Sequence, residues 1–169
     1  MKPQRTWMSL LGVALLLFGA SYTLGGEGKG KKEFHARLDG AHETPAISTE
    51  ATGSFKAELN KAGDELSYEL EYSGLEGGTT LFAHVHLGQK NVAGGVMFFL
   101  CGGGGKPACH NGGGTITGTV TAADITGPSG QGISAGEFDE ALQAMRDGLA
   151  YVNVHTTNFA GGEIRGQVK

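Results

Sequence analysis

Short runs in which apolar and polar residues alternate recur along this chain, and they restrict its fold more than any other feature. The clearest run, Leu66–Tyr72, reads LSYELEY, so leucine or tyrosine occupies every second position and serine or glutamate the positions between. A period of two places the apolar side chains on one face of a β-strand. The run therefore predicts a strand with one buried and one solvated face, which is typical of antiparallel sheets.

Similar segments extend over most of the chain and are separated by glycine-rich stretches. The 31 glycines suit tight turns, where glycine adopts a positive φ without strain. The predicted strands cover residues 34–38, 53–59, 66–72, 79–87, 95–100, 114–121, 150–156 and 163–168. We therefore expect an all-β fold, a Greek-key β-sandwich or barrel of seven or eight antiparallel strands.

One segment has helical periodicity instead. In residues 134–147, SAGEFDEALQAMRD, apolar side chains recur at intervals of three and four. Ser134 followed by Glu137 matches a capping box, and Gly148 stands where a helix would end. We predict one short helix over about 134–147 that packs on an edge or an open end of the sheet.

The N-terminal segment has the pattern of an export signal. Two basic residues precede the apolar run WMSLLGVALLLF at positions 7–18, which is too short to span a bilayer comfortably. We interpret residues 1–21 as a signal peptide, residues 22–33 as a flexible tether and residues 34–169 as the folded domain. An uncleaved N-terminal anchor is the alternative interpretation. The expected location is the periplasm or the extracellular space.

The charge balance argues against a nucleic-acid partner. The chain has 13 lysines and arginines against 17 aspartates and glutamates, a formal net charge of −4. An acidic chain without a basic stripe is poorly suited to phosphate backbones. We expect no nucleic-acid partner and, once the signal is removed, no membrane contact.

Cys101 and Cys109 flank a glycine-rich loop and are the chain's two cysteines. In an oxidising compartment two nearby cysteines most simply form a disulfide. Thiolate metal ligation is the competing interpretation, but it ordinarily needs more cysteine or histidine at closer spacing. We predict the disulfide.

Three histidines are candidate metal ligands. His84 and His86 lie two residues apart on a predicted strand and therefore point to the same face, and His155 lies on another strand. If the two strands are neighbours, the three imidazoles converge within reach of one ion. Imidazole suits copper and zinc, and the Irving–Williams order favours copper. In the alternative interpretation, these side chains are hydrogen-bonded polar groups on a solvated sheet face and bind no metal.

Two further residues, His110 and Met97, are candidates for a fourth metal ligand, with less support from the sequence. His110 follows a cysteine in the glycine-rich loop and equally fits an exposed loop residue. Met97, in the run VMFFL, fits the core, although a thioether suits Cu(I). No nucleophile elbow, phosphate-binding loop or paired-carboxylate motif was found in the sequence, so we name no catalytic residue.

Several blocks of the sequence resemble the CHRD (chordin-domain) family. They are ATGSFKAELN (51–60), LSYELEYSGLEG (66–77), AHVHLG (83–88), GTVTAADI (118–125) and AYVNVHTTNFAGGEIRGQV (150–168). The resemblance covers about residues 34–168 and is most specific in the last block. It implies an extracellular or periplasmic β domain and does not imply a particular biochemical activity.

A second resemblance, carried by short motifs, is to the copper/zinc superoxide dismutases. The motifs GL (74–75), AHVH (83–86), VTA (120–122), VH (154–155) and NFAGG (158–162) occur in the order of that family's strands. The resemblance implies that His84, His86 and His155 match three copper-binding positions.

The rest of the dismutase pattern is not matched. No histidine pair for a bridge and a zinc pocket follows, and Glu163 stands where the enzymes carry an arginine, with Arg165 on the same strand face. We expect these two residues to form an ion pair along the strand. A negative charge near the metal would repel superoxide, so metal binding is a better hypothesis than dismutation.

Two functions therefore remain open. One is an exported domain that binds a copper ion through the three histidines, for copper buffering, delivery or a minor redox reaction. The other is a metal-free structural or protein-interaction module with an extracytoplasmic partner. Dismutase-like activity ranks below simple metal binding, and enzymatic hydrolysis is a third hypothesis, ranked after both of these functions.

Overall fold

A computed structural model describes residues 30–169, so the predicted leader and most of the tether lie outside the described residues. The strands are β1 (Glu33–Asp39), β2 (Thr52–Leu59), β3 (Leu66–Ser73), β4 (Thr80–Leu87), β5 (Val96–Cys101), β6 (Gly114–Val120), β7 (Ala150–Thr156) and β8 (Ile164–Gln167). They form one antiparallel sheet in the order β5-β4-β7-β8-β1-β2-β3-β6. The all-β prediction is confirmed, and each of the eight predicted segments overlaps one strand.

The sheet curls into a nearly closed barrel around one hydrophobic core. Its two edge strands, β5 and β6, contact each other, and Tyr68 of β3 donates a 2.7 Å hydrogen bond to the carbonyl of Leu100 on β5. The core contains inward side chains of β1 to β8, including fully buried Phe55, Val85 and Val152. Burial of each such side chain stabilises the fold by about 1.5–3 kcal/mol.

The helix α1 (Phe138–Arg146) is present but begins later than the sequence predicted. The N–H of Ser134 donates to the carboxylate of Glu137, as in half of a capping box. However, Gly136 has a φ of 86°, which an α-helix does not accommodate, so Ser134 belongs to a turn that precedes the helix. The apolar face of α1 joins the core. Three one-turn 3₁₀ helices lie at Gly40–His42, Ala122–Asp124 and Ser129–Gln131.

The predicted disulfide is confirmed: Cys101 at the end of β5 is bonded to Cys109. The loop that it closes is also tied to the rest of the barrel by Lys106. The ammonium group of Lys106 lies 2.7 Å from the carboxylate of Asp124 and donates to the carbonyl of Thr119 on β6. The cross-link and the ion pair together hold the glycine-rich loop beside the barrel's edge strands. No helix of residues 30–169 has the length and apolar character required to cross a membrane.

Candidate metal centre

The strands that carry the three histidines are direct neighbours. β4 and β7 pair antiparallel, with His84 opposite Asn153 and Phe82 opposite His155. His155 is therefore one diagonal step from His84, a separation that side chains on the same sheet face bridge easily. The condition on which the sequence-based metal hypothesis depended, that the two strands lie side by side, is met.

The three imidazoles form one compact group. One ring nitrogen from each of His84, His86 and His155 can be chosen so that all three atoms lie within 4.8 Å of one another. Nδ1 of His84 lies 2.8 Å from Nε2 of His86. Nitrogen atoms at these separations are close enough to share one metal ion, with metal–nitrogen bonds of ~2.0–2.1 Å.

The group lies on the outer face of the barrel yet is covered. Ala83 and Val85, which alternate with the histidines of β4, belong to the core, so His84 and His86 point outward. The loop between β4 and β5 folds back over His86. Gly94 in this loop permits the approach, because a Cβ atom there would overlap the carbonyl of Leu87.

Backbone carbonyls orient two of the imidazoles. Nδ1 of His86 lies 2.8 Å from the carbonyl oxygen of Gly94, and Nδ1 of His155 lies 3.0 Å from that of Ala160. Because a carbonyl only accepts, these contacts favour the tautomer in which Nδ1 carries the proton and Nε2 carries the lone pair. Metal-binding histidines are commonly held by a contact of this kind.

Burial keeps the imidazoles uncharged at neutral pH. His84, His86 and His155 are only 5%, 7% and 5% exposed. Desolvation, with the neighbouring histidines, lowers the pKa of His84 to about 3. Burial likewise lowers the pKa of His155 to about 4 and also lowers the pKa of His86. The lone pairs that a metal requires are therefore not occupied by protons at pH 7.

Aromatic rings contact all three histidines. The contacts, between ring centroids, are Phe82 with His84 at 5.2 Å and with His155 at 5.1 Å, Phe99 with His84 at 4.9 Å, and Tyr151 with His86 at 4.6 Å. These rings limit the room for water beside the imidazoles and leave the ring nitrogens as the main polar groups on this surface.

Asn153 is a polar neighbour that the sequence did not single out. Its side chain is 2% exposed, and its amide oxygen lies 2.8 Å from Nε2 of His155. A neutral imidazole has one proton, so His155 cannot donate both to this oxygen and to the carbonyl of Ala160. A cation bound at Nε2 would be attracted to the amide oxygen, so this arrangement fits a metal ion.

The two possible fourth ligands lie elsewhere. His110 is exposed in the loop before β6 and is not part of the histidine group. Its carbonyl accepts a 2.6 Å hydrogen bond from the hydroxyl of Tyr72. Met97 is fully buried in the hydrophobic core, whereas the three histidines lie on the outer side of the sheet.

The predicted ion pair between Glu163 and Arg165 was wrong, because each side chain has other partners. Glu163 is fully buried, and its carboxylate accepts hydrogen bonds from four groups. The donors are the N–H groups of Glu76 at 2.6 Å and Gly77 at 3.0 Å and the hydroxyls of Thr49 at 3.1 Å and Thr156 at 2.8 Å. Glu163 therefore fastens loops together and is not part of the histidine group.

Glu43 is a second buried acid that sequence reasoning missed. It is 8% exposed, and its Oε1 has no hydrogen-bond partner among the described residues. Burial raises its pKa to about 7, against the opposing effects of the Thr44 N–H, Arg165 and Asn153. The surrounding sequence, AHETPA, resembles an ordinary polar loop, so no local signal marks this residue as buried.

The fold and the site together define a class: an eight-stranded antiparallel barrel domain with a buried group of three histidines on its outer face. The family model for the CHRD domain matches residues 34–168. The chain therefore belongs to the CHRD-domain family. Comparisons with curated proteins and with solved structures found no match.

Proposed function

We propose that this protein is an exported domain that binds one copper ion through His84, His86 and His155 and serves in copper buffering or delivery. The observation that carries the proposal is the convergence of three buried, neutral imidazoles, with one ring nitrogen from each within 4.8 Å of the other two. Polar side chains on a solvated sheet face would be exposed to water. Burial of these imidazoles is unfavourable unless their contacts compensate for the lost hydration.

Copper is favoured over zinc by the donor set. Imidazole binds both metals, but a site without a geometric constraint binds Cu(II) more tightly than Zn(II). The group contains no thiolate or carboxylate ligand among the described residues, whereas structural zinc sites typically use cysteine. Bound copper would supply one-electron chemistry, and the minor redox role is the less favoured part of the proposal.

Export is proposed from two features. The leader has the charge and hydropathy pattern of a signal peptide, and the disulfide between Cys101 and Cys109 is of a kind that persists in oxidising compartments. Expression of the full chain with a C-terminal tag, followed by fractionation and mass measurement of the processed protein, tests this part. Retention of the unprocessed protein in the cytosol would contradict it.

Copper binding is tested by titrating the purified, metal-free protein with Cu(I) under a competing chromophoric chelator and with Cu(II) followed by paramagnetic resonance. We expect one copper ion per chain. The variant H84A/H86A/H155A should lose this stoichiometric binding, because it removes all three donors.

The chain supplies a matched control. The other three histidines, His35, His42 and His110, are exposed, so the variant H35A/H42A/H110A removes the same number of imidazoles and should bind copper as the wild type does. Copper binding that survives unaltered in H84A/H86A/H155A would refute the proposed site. A wild-type protein that binds no copper but captures an extracytoplasmic partner in the presence of chelator would support the metal-free interaction module instead.

A further inference from the structure

A buried cation, Arg165, lies beside the histidine group and is separated from His86 by the ring of Tyr151. The guanidinium carbon of Arg165, on β8, lies 3.4 Å from the centroid of the Tyr151 ring. The same ring stacks on His86 with an interplanar angle of 3°. Because β7, which carries Tyr151, lies between β4 and β8 in the sheet, Arg165 and His86 contact the ring from opposite sides.

The charge of Arg165 is not neutralised by a contacting acid. The side chain is 2% exposed, and it donates to the hydroxyl of Thr44 at 3.1 Å and to the carbonyls of Gln89 at 3.1 Å and Val92 at 2.9 Å. All three acceptors are neutral. No carboxylate of the described residues lies within 4.0 Å of the guanidinium nitrogens, and Glu43 attracts the cation only from a greater distance.

A buried charge acts strongly on its surroundings, because the electrostatic energy varies inversely with the local dielectric constant. Only the ring of Tyr151 separates the guanidinium of Arg165 from the imidazole of His86. The positive charge of Arg165 therefore disfavours every further positive charge placed between the three imidazoles.

We propose that Arg165, acting across the ring of Tyr151, makes this site selective for the cuprous ion over the cupric ion. The inference rests on the proposed copper-binding function. The three donors are neutral, so bound Cu(I) contributes one positive charge and bound Cu(II) contributes two, and Arg165 repels the second more strongly. The donor number acts in the same direction, since Cu(II) prefers tetragonal sites with more ligands, while the closed-shell Cu(I) ion has no such requirement.

The test compares Cu(I) and Cu(II) dissociation constants, each measured by chelator competition, in wild type, Arg165→Gln and Arg165→Lys. Gln removes the charge, and the ratio of Cu(I) to Cu(II) affinity should fall on the order of tenfold. Lys keeps the charge but loses the planar fork, so it should keep the ratio within about threefold. An unchanged ratio in Arg165→Gln, or an equal fall in both variants, would overturn the inference, the latter because it would indicate a packing role.

A second variant avoids any loss of folding caused by removal of Arg165. Thr44 is exposed, and its hydroxyl already accepts a hydrogen bond from the guanidinium. Thr44→Asp places a carboxylate on that cation and should lower the Cu(I) preference, as Arg165→Gln does; no change in the ratio would count against the inference. If wild type binds copper in neither oxidation state, the proposed function itself fails, whereas binding with a ratio insensitive to these variants refutes only the role of Arg165.

Discussion

Strands β3 and β7 alternate in the same way along the sequence, yet only β3 has a solvated outer face. In β3 every second residue is exposed, and the outward positions carry serine and glutamate. In β7 all seven residues are buried, although Tyr151, Asn153 and His155 point away from the core. The outward residues of β7 are uncharged groups that donate or accept hydrogen bonds.

The two strands differ in what covers their outer faces. The outer face of β3 is solvated. The outer face of β7 is instead covered by loops, and these loops need contacts of their own to stay in place. Burial of polar groups without water is unfavourable unless each finds a partner. The structure maintains this arrangement around the histidines and nowhere along β3, which supports the proposal of a binding site on the outer face of β4 and β7.

The largest expected effect concerns Glu163, the buried acid that joins the segments around Thr49 and Gly77 to Thr156 of β7. Glu163→Ala leaves two buried and two partly buried donors without their acceptor, and we expect a loss of about 3–5 kcal/mol in the free energy of unfolding. Glu71→Ala, an outward acid on β3, should change it by less than about 0.5 kcal/mol. Urea unfolding of the two variants measures both values. Equal effects would contradict the difference described between the buried, hydrogen-bonded acid and the solvated acid.

The next effect is a pH dependence of stability that arises from the buried histidines of β4 and β7. The folded-state pKa values of His84 and His155, about 3 and 4, lie below the usual 6.5, so the unfolded chain binds more protons and the metal-free protein loses stability as the pH falls below 6.5. Between pH 7 and pH 5 we expect a loss of about 3–4 kcal/mol from these groups. The pH profile of urea unfolding for wild type, compared with the metal-free variant H84Q/H86Q/H155Q, isolates this term. Parallel profiles would contradict it.

A smaller effect of opposite sign is expected from Glu43. Its pKa is raised to about 7 from 4.5, so the folded state binds the proton more tightly and this group's contribution to stability is lost as the pH rises from 4.5 to 7. Glu43→Gln should therefore be more stable than wild type at pH 8, by about 2–3 kcal/mol, and equal to it at pH 4. Thermal or urea unfolding at the two pH values checks this, and a stability difference that does not depend on pH would contradict it.

The strands and the candidate ligands were predictable because they depend on local periodicity. The spacing of His84 and His86 fixes a shared face once the segment is a strand, and the match of residues 34–168 to the family agrees with the motifs that the sequence displays. The spacing of Cys101 and Cys109 likewise sufficed to predict their bond.

What could not be predicted depends on loops brought together from distant parts of the chain. The donors to Glu163 come from Thr49, Thr156 and the segment around Gly77, so neither its burial nor its separation from Arg165 follows from the local sequence. The helix start was missed for a local reason, since the conformation of Gly136 overrides the capping pattern. The stack of Arg165, Tyr151 and His86 depends on the order of the three strands β8, β7 and β4 in the sheet.

The most direct test of the central claim is the position of copper in crystals of the copper-loaded protein, located by anomalous scattering at the copper absorption edge. The account predicts one peak bonded to His84, His86 and His155, at ~2.0–2.1 Å from a ring nitrogen of each. A protein that holds copper only at His35, His42 or His110, with no peak between β4 and β7, would contradict it.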